Sequence, residues 1–191
     1  GTYAHRPHVG GDGRPSTGWH AEFGDVDNDG RADLFIAKGN VDQMPGMATR
    51  DPNNLLMQQA SGQFVEAAAS AGIATLARSR GAALADVDGD GRLDLVVMNR
   101  RAPIELYRNV TPDTGNWLRI KLEQEGGNRD AVGARVEVVA DSHAQSMQKL
   151  VGGGHAGGQV LPLHFGLGPV VDAQVVVIWP DGIRGAQLVK T

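Results

Sequence analysis

Two short acidic segments contain the residues with the clearest potential for chemistry. Loop 1 is Asp25–Asp33 and loop 2 is Asp86–Asp94, and both follow the pattern Asp-x-Asp-x-Asp-Gly-x-x-Asp. Carboxylates at positions 1, 3, 5 and 9 converge only if the backbone coils around a centre, and the glycine at position 6 permits the tight turn that this coil needs. Because four crowded carboxylates require a counter-cation, the pattern predicts a metal site in each loop.

The donor types favour calcium. Neither loop contains Cys or His, and a shell of oxygen donors suits a hard cation that accepts six to eight ligands. We expect the backbone carbonyl at position 7 to complete each shell. The predicted ligands of two calcium ions are Asp25, Asp27, Asp29, Arg31 and Asp33 in loop 1, and Asp86, Asp88, Asp90, Arg92 and Asp94 in loop 2.

An EF-hand shares the first six positions of this pattern but requires a Glu at position 12 and a helix on each side. Position 12 is Ile36 in one copy and Val97 in the other. Short apolar runs, Leu34–Ala37 and Leu95–Met98, follow the loops and are typical of buried strands. A solvated β-turn would explain one such loop, but two matching copies favour a built site at the start of a strand.

The sequence around the loops repeats as well. Gly18–Phe23 before loop 1 corresponds to Arg80–Ala85 before loop 2, and a strand-like piece follows each loop, at Asn54–Met57 and at Ile104–Tyr107. Units of about four short strands that recur every 40 to 60 residues are typical of β-propeller blades. We expect an insertion at 41–53 to lie on the loop face of the first blade.

The second half also predicts strands. Trp117–Leu122 and Ala134–Val138 alternate apolar and polar residues, as does Ala173–Ile178 less cleanly, and glycine clusters mark turns between them. We expect five or six strands here, with Trp179-Pro180 ending the last. The predicted fold class is all-β: a partial β-propeller of about two blades over residues 1–111, followed by a small β-sandwich or barrel over residues 112–191.

Several blocks resemble known families. The loops and the strands after them resemble FG-GAP or VCBS repeats, the units of integrin-like propellers, and this resemblance implies calcium binding. The second half resembles the ASPIC/UnbV domain, which follows such repeats in the cartilage acidic protein family and in many bacterial secreted proteins. That resemblance rests on residues 128–136, Gly152–Gly154, Leu163–Gly168 and 177–182, although His155-Ala-Gly-Gly158 departs from the aromatic residue and Ser-Gln pair usual after the glycine triplet.

Composition excludes several classes of protein. The net charge is −4, which two calcium ions would cancel, so acidity does not indicate a basic partner. The absence of cysteine excludes a disulfide scaffold. No apolar stretch reaches the roughly 18 residues of a membrane span. Scattered arginines, without aromatic residues between them, do not predict nucleic-acid binding.

No residue set predicts catalysis. The six histidines lack the spacing of a metal site or an activated nucleophile. His164, between Leu163 and Phe165, is interpreted as a structural histidine. His5, His8 and Asp12 could bind a transition metal, but their glycine-rich surroundings favour a flexible solvated loop.

The predicted function is therefore a calcium-binding, non-catalytic binding or scaffold module of a secreted, extracellular or periplasmic protein, with a protein or glycan partner. Two blades cannot close a ring, so the remaining blades are expected from the same longer chain or from other chains. The alternatives are the propeller portion of a secreted polysaccharide-degrading or redox enzyme, and an adhesin-like subunit.

Overall fold

The computed structural model describes residues 14–41, 46–155 and 157–190. The predictions for His5, His8 and Asp12, and part of the 41–53 insertion, lie outside these ranges. Within the described ranges the regular secondary structure consists of β-strands, so the all-β prediction is confirmed. The described part of the chain has no helix with the length and hydropathy needed to cross a bilayer.

The first four strands form one antiparallel sheet in chain order, which is the arrangement expected of a propeller blade. Loop 1 joins the first two strands, whose register pairs Gly24 with Asp33. Phe35 and Ala37 alternate with partly exposed neighbours and are completely buried. The strands are β1 (Gly18–Gly24), β2 (Asp33–Lys38), β3 (Asn54–Gln58) and β4 (Phe64–Glu66).

The next three strands repeat this plan. Loop 2 joins the first two of them, whose register pairs Ala85 with Asp94. Val97 is completely buried, like Phe35 in the first sheet, and the two blades share one apolar cluster that contains both residues. The strands are β5 (Ser79–Ala85), β6 (Asp94–Asn99) and β7 (Glu105–Tyr107).

The C-terminal part of the chain, here called the β domain, has eight strands in three sheets among its described residues. A four-stranded sheet has the order β10-β9-β14-β15, and β13 pairs with β8. Val136, Val138 and Phe165, all completely buried, lie in its core. The strands are β8 (Asn116–Ile120), β9 (Arg135–Ala140), β10 (His143–Gln148), β11 (Gly152–Gly153), β12 (Gly157–Gly158), β13 (Leu163–Gly168), β14 (Asp172–Ile178) and β15 (Arg184–Lys190).

Two expectations for the β domain were wrong. Its described residues form eight strands rather than five or six, and Trp179-Pro180 precedes a further strand, β15. None of its described sheets closes into a barrel, which favours the sandwich of the two predicted forms. Gly152 and Gly153 also do more than turn the chain, because they pair with Gly158 and Gly157 in a small hairpin. This hairpin packs on β1, where the backbone amide of His155 donates to the carbonyl of Trp19 at 3.0 Å.

The described part of the 41–53 insertion packs against the first blade. Asp51 is completely buried and forms an ion pair with Lys38 at 2.9 Å, while the side-chain oxygen of Asn53 accepts a hydrogen bond from the Lys38 amide at 3.0 Å. These contacts fix the described residues of the insertion against β2.

Candidate metal centres

Loop 1 brings together three of its predicted ligands. Each of Asp25, Asp27 and Asp29 offers a carboxylate oxygen, and these oxygens lie within 4.8 Å of one another. Asp25 is 2% exposed. One oxygen of Asp27 is buried and has no hydrogen-bond partner. Because a buried carboxylate oxygen without a partner is costly, these residues fit an oxygen-seeking cation such as calcium.

The backbone of loop 1 coils as the pattern predicts. Gly30 has a φ of +90° and Asn28 a φ of +57°, both in the left-handed region. The amides of Asp29 and Gly30 donate to the two carboxylate oxygens of Asp25, at 3.0 and 2.8 Å. These bonds aim the Asp25 carboxylate at the centre of the coil.

Position 9 of each loop also anchors the third strand of its blade. Asp33 accepts hydrogen bonds from the amides of Val26, at 3.0 Å, and Gln58, at 2.8 Å. Asp94 accepts the equivalent bonds from Val87 and Asn109. A carboxylate oxygen has two lone pairs, so these bonds leave capacity for a metal.

Loop 2 assembles the equivalent cluster. The carboxylates of Asp86, Asp88 and Asp90 also lie within 4.8 Å of one another, and Gly91 has a φ of +85°. Asp86 accepts hydrogen bonds from the amides of Gly89 at 2.8 Å and Gly91 at 3.2 Å. The carbonyls of Arg31 and Arg92, and position 9 of each loop, remain predicted ligands that the carboxylate clustering does not test.

The carboxyl groups of loop 1 have raised pKa values. Burial raises the pKa of Asp25 to about 8, against the hydrogen bond from Gly30 and with help from the neighbouring acids. Burial likewise raises the pKa of Asp33 to about 6, and it raises that of Asp29. At neutral pH Asp25 therefore favours a proton or a cation as a partner.

Arginines neutralise loop 2 instead. Arg108 pairs with Asp88 at 2.8 Å and with Asp90 at 3.2 Å, and Arg119 lies 3.6 Å from Asp86. The pKa of Asp90 is lowered: desolvation opposes the shift, but hydrogen bonds from the Arg92 amide and the Arg108 guanidinium outweigh it. The side chains of Arg31 and Arg92 also contact Asp29 and Asp90.

The β domain packs directly on loop 1, which the sequence did not reveal. His164 Nε2 lies 2.7 Å from the side-chain oxygen of Asn28, and the backbone of Gly166 lies against the Asp25 carboxylate. His164 is 7% exposed, and burial lowers its pKa to about 4, so it is neutral. The contact with Asn28 is the hydrogen bond expected of a structural histidine, and that role stays a prediction.

Two separate segments of the chain match known protein families. Residues 45–97 match the FG-GAP-like repeat family and residues 124–188 match the ASPIC and UnbV family. Cartilage acidic protein 1 from Mus musculus and from Homo sapiens are each 32% identical over 109 residues, which cover 55% of this chain. The matched segment is 17% of the mouse protein and 16% of the human one, so the chain matches only a small part of their length. A segment similar to the FG-GAP-like repeat is thus followed by a segment similar to the ASPIC and UnbV family, and the predicted resemblance is confirmed.

Proposed function

We propose that the chain is a calcium-binding, non-catalytic scaffold or binding module of a secreted or periplasmic protein. The observation that carries the proposal is the cluster of Asp25, Asp27 and Asp29, with carboxylate oxygens within 4.8 Å and one Asp27 oxygen buried without a partner. Calcium supplies the positive charge and the six to eight coordination positions that such an oxygen set satisfies. Bound there, it holds the turn between the first two strands of a blade.

The absence of catalysis is part of the proposal. The described pair most like an acid–base couple is His20 and Glu22, with Nε2 and Oε2 3.0 Å apart, in a cleft between the blades and the β domain. Both oxygens of Glu22 have further partners, the Leu84 amide at 3.3 Å and the Gln159 side chain at 2.6 Å. A carboxylate held on both oxygens is better suited to joining β1, β5 and the β domain than to moving protons.

Secretion follows from the expected affinity. Extracellular calcium modules bind at about 10⁻⁴ to 10⁻³ M, which cytosolic free calcium does not reach. The relatives are named for cartilage, a matrix-rich tissue, which supports a location outside the cell. The fixed loop face of the blades would meet a protein or glycan partner as a preorganised surface.

Isothermal titration calorimetry of the whole chain with calcium chloride, after chelator treatment, tests the proposal. We expect two ions per chain, and one ion in Asp27→Ala and in Asp88→Ala. Asp172→Ala, an exposed aspartate of the β domain, is the control and should leave both ions bound. The absence of binding at millimolar calcium would overturn the proposal.

A further inference from the structure

Asn28 connects loop 1 to two other parts of the molecule. It is completely buried, and its side-chain amide donates to the Gly91 carbonyl of loop 2 at 2.8 Å. Its side-chain oxygen lies 2.7 Å from His164 Nε2, and its backbone carbonyl accepts from the Gly168 amide at 2.8 Å. One residue of loop 1 therefore contacts both the second loop and strand β13.

A ring stack closes this set of contacts. His164 stacks on Trp117, with ring centroids 5.8 Å apart and planes 14° apart. Trp117 packs on Gly91 so closely that a Cβ added there would lie 1.9 Å from the indole nitrogen. Asn28, His164, Trp117 and Gly91, here called the coupling ring, thus link both loops to strands β8 and β13.

Backbone contacts support the same interface. A Cβ on Gly166 would lie 1.9 Å from a carboxylate oxygen of Asp25, so β13 touches a predicted ligand without an intervening side chain. The Gly115 amide, just before β8, donates to the Asp27 carbonyl at 3.2 Å. The glycines of the Leu163–Gly168 and Gly115 segments are therefore explained by the close approach of the β domain to loop 1.

Position 4 distinguishes the two loops. Asn28 stands between the predicted ligands Asp27 and Asp29, so an ion that fixes both of them also fixes the left-handed backbone of Asn28. The equivalent residue of loop 2, Gly89, is exposed, and a Cβ there would meet no atom within 4 Å. Of the two loops, loop 1 is therefore the one whose position 4 side chain can couple ion binding to other parts of the molecule.

We propose that Asn28 is a positioning residue that couples calcium in loop 1 to calcium affinity in loop 2 and to docking of the β domain. The inference rests on the proposed calcium binding. An ion that orders Asn28 also orders the Gly91 carbonyl and His164. Part of loop 2 has then already lost its conformational entropy, so a second ion binds there with a smaller entropy loss. By linkage the effect is reciprocal, and each ion strengthens the binding of the other.

The test uses the whole chain, with calcium alone as the probe. Amide hydrogen exchange of Leu163–Gly168 reports docking, and calorimetry reports the affinity of loop 2. Asn28→Gly gives loop 1 the position 4 residue of loop 2 without backbone strain and removes both side-chain bonds, while His164→Phe keeps a ring on Trp117 and removes one bond. Gly89→Asn is the matched control.

In the unmodified chain, calcium should slow exchange at the Gly168 amide by about tenfold. In Asn28→Gly two ions should still bind, the slowing should largely disappear, and the affinity of loop 2 should fall by about fivefold or more. His164→Phe should reduce the slowing, and Gly89→Asn should retain it in full.

The coupling would be overturned if the unmodified chain bound two ions but amide exchange in β13 were the same with and without calcium. It would also be overturned if loop 2 had the same calcium affinity in Asn28→Gly and in the unmodified chain. Either result would leave the proposed function standing. A chain that binds no calcium at all would overturn the proposed function and the coupling together.

Discussion

Loops 1 and 2 share every aspartate of the nonapeptide, yet their surroundings differ. In loop 1 Asp25 is buried beneath strand β13, and the described arginine paired with its clustered carboxylates is Arg31. In loop 2 Arg108 and Arg119 add positive charge, and the Asp88 side chain is 37% exposed. One motif thus produces a buried loop whose carboxyl groups have raised pKa values and an open loop whose carboxylates pair with arginines. The local sequence determines the coil, whereas the neighbouring strands determine its burial and its charged partners.

Removal of the first aspartate should separate the two loops most. Asp25→Ala eliminates the ligand that holds the loop 1 centre and leaves the buried Gly30 amide without its acceptor. We expect a loss of about 3 to 5 kcal/mol in unfolding free energy at millimolar calcium. Asp86→Ala should cost less, about 1 to 3 kcal/mol. It frees the buried Gly91 amide from a longer bond of 3.2 Å, and water can reach the exposed Gly89 amide that it also frees. Urea unfolding of both variants measures the difference, and equal losses would contradict the comparison.

The close approach of β13 to loop 1 can be tested by adding one methyl group. Gly166→Ala places a Cβ against Asp25 and the Asn28 backbone, which should cost about 2 to 3 kcal/mol through overpacking. Gly127→Ala, in the same domain but with no atom within 4 Å of the new Cβ, is the control and should change stability by less than about 0.5 kcal/mol. Urea unfolding in calcium measures the free energy of unfolding of both variants. An unchanged value in Gly166→Ala would contradict the close packing of β13 on loop 1.

The two loops should also differ in their response to pH. With its pKa near 8, Asp25 must lose a proton when calcium binds, so affinity at loop 1 should fall by up to about tenfold per unit as pH drops from 8 toward 6. Affinity at loop 2 should change little over that range, because the pKa of Asp90 is lowered. Calorimetry on Asp27→Ala and Asp88→Ala, each with one intact loop, measures the two slopes. Parallel slopes would contradict the assigned environments.

The same shift determines the pH dependence of stability in chelator. The folded pKa of Asp25 lies above its unfolded value of 3.8, so the ionised group destabilises the fold. This destabilisation is absent below about pH 3.8 and reaches its full size above about pH 8. Unfolding free energy in chelator should therefore decrease as pH rises through this window, and calcium should remove the decrease.

The smallest expected effect concerns Arg108, which pairs with Asp88 and Asp90, two predicted calcium ligands of loop 2. Arg108→Gln should raise the calcium affinity of loop 2 by roughly two- to fivefold at low salt and leave loop 1 unchanged. Arg135→Gln, an exposed arginine paired with Glu137 in the β domain, is the control. Calorimetry at low and high salt measures the gain, and an unchanged loop 2 affinity at low salt would show that Arg108 does not compete.

Much of the blade structure could be predicted from sequence because it is local. The apolar runs after the loops form β2 and β6, and Gly30 and Gly91 adopt the left-handed conformations that the coil requires. Strands β10 and β15 were missed because their residues are mostly exposed and lack a regular apolar alternation. Their pairing with β9 and β14 stabilises them, and this pairing is not encoded locally.

The differences between the sites could not be predicted, since they depend on contacts between distant residues. His164 lies 136 residues from Asn28 in the chain, and no spacing rule relates them. Arg108 lies beyond loop 2 in the sequence, and it pairs with Asp88 and Asp90 because β7 ends beside that loop. Within the nonapeptides the loops differ at position 4, Asn28 against Gly89, and at position 8, Ala32 against Leu93, and neither difference by itself predicts these contacts.

The central claim is that calcium in the acidic loops holds the fold together, and thermal unfolding of the whole chain tests it most directly. If millimolar calcium exceeds the dissociation constant about tenfold, each of the two ions adds about 1.4 kcal/mol. A shift from excess chelator to millimolar calcium should then raise Tm reversibly by about 5 to 10 °C. Asp29→Ala and Asp90→Ala should each lose part of the rise, with the larger loss in Asp29→Ala. Superimposable melting curves in calcium and chelator would contradict the account.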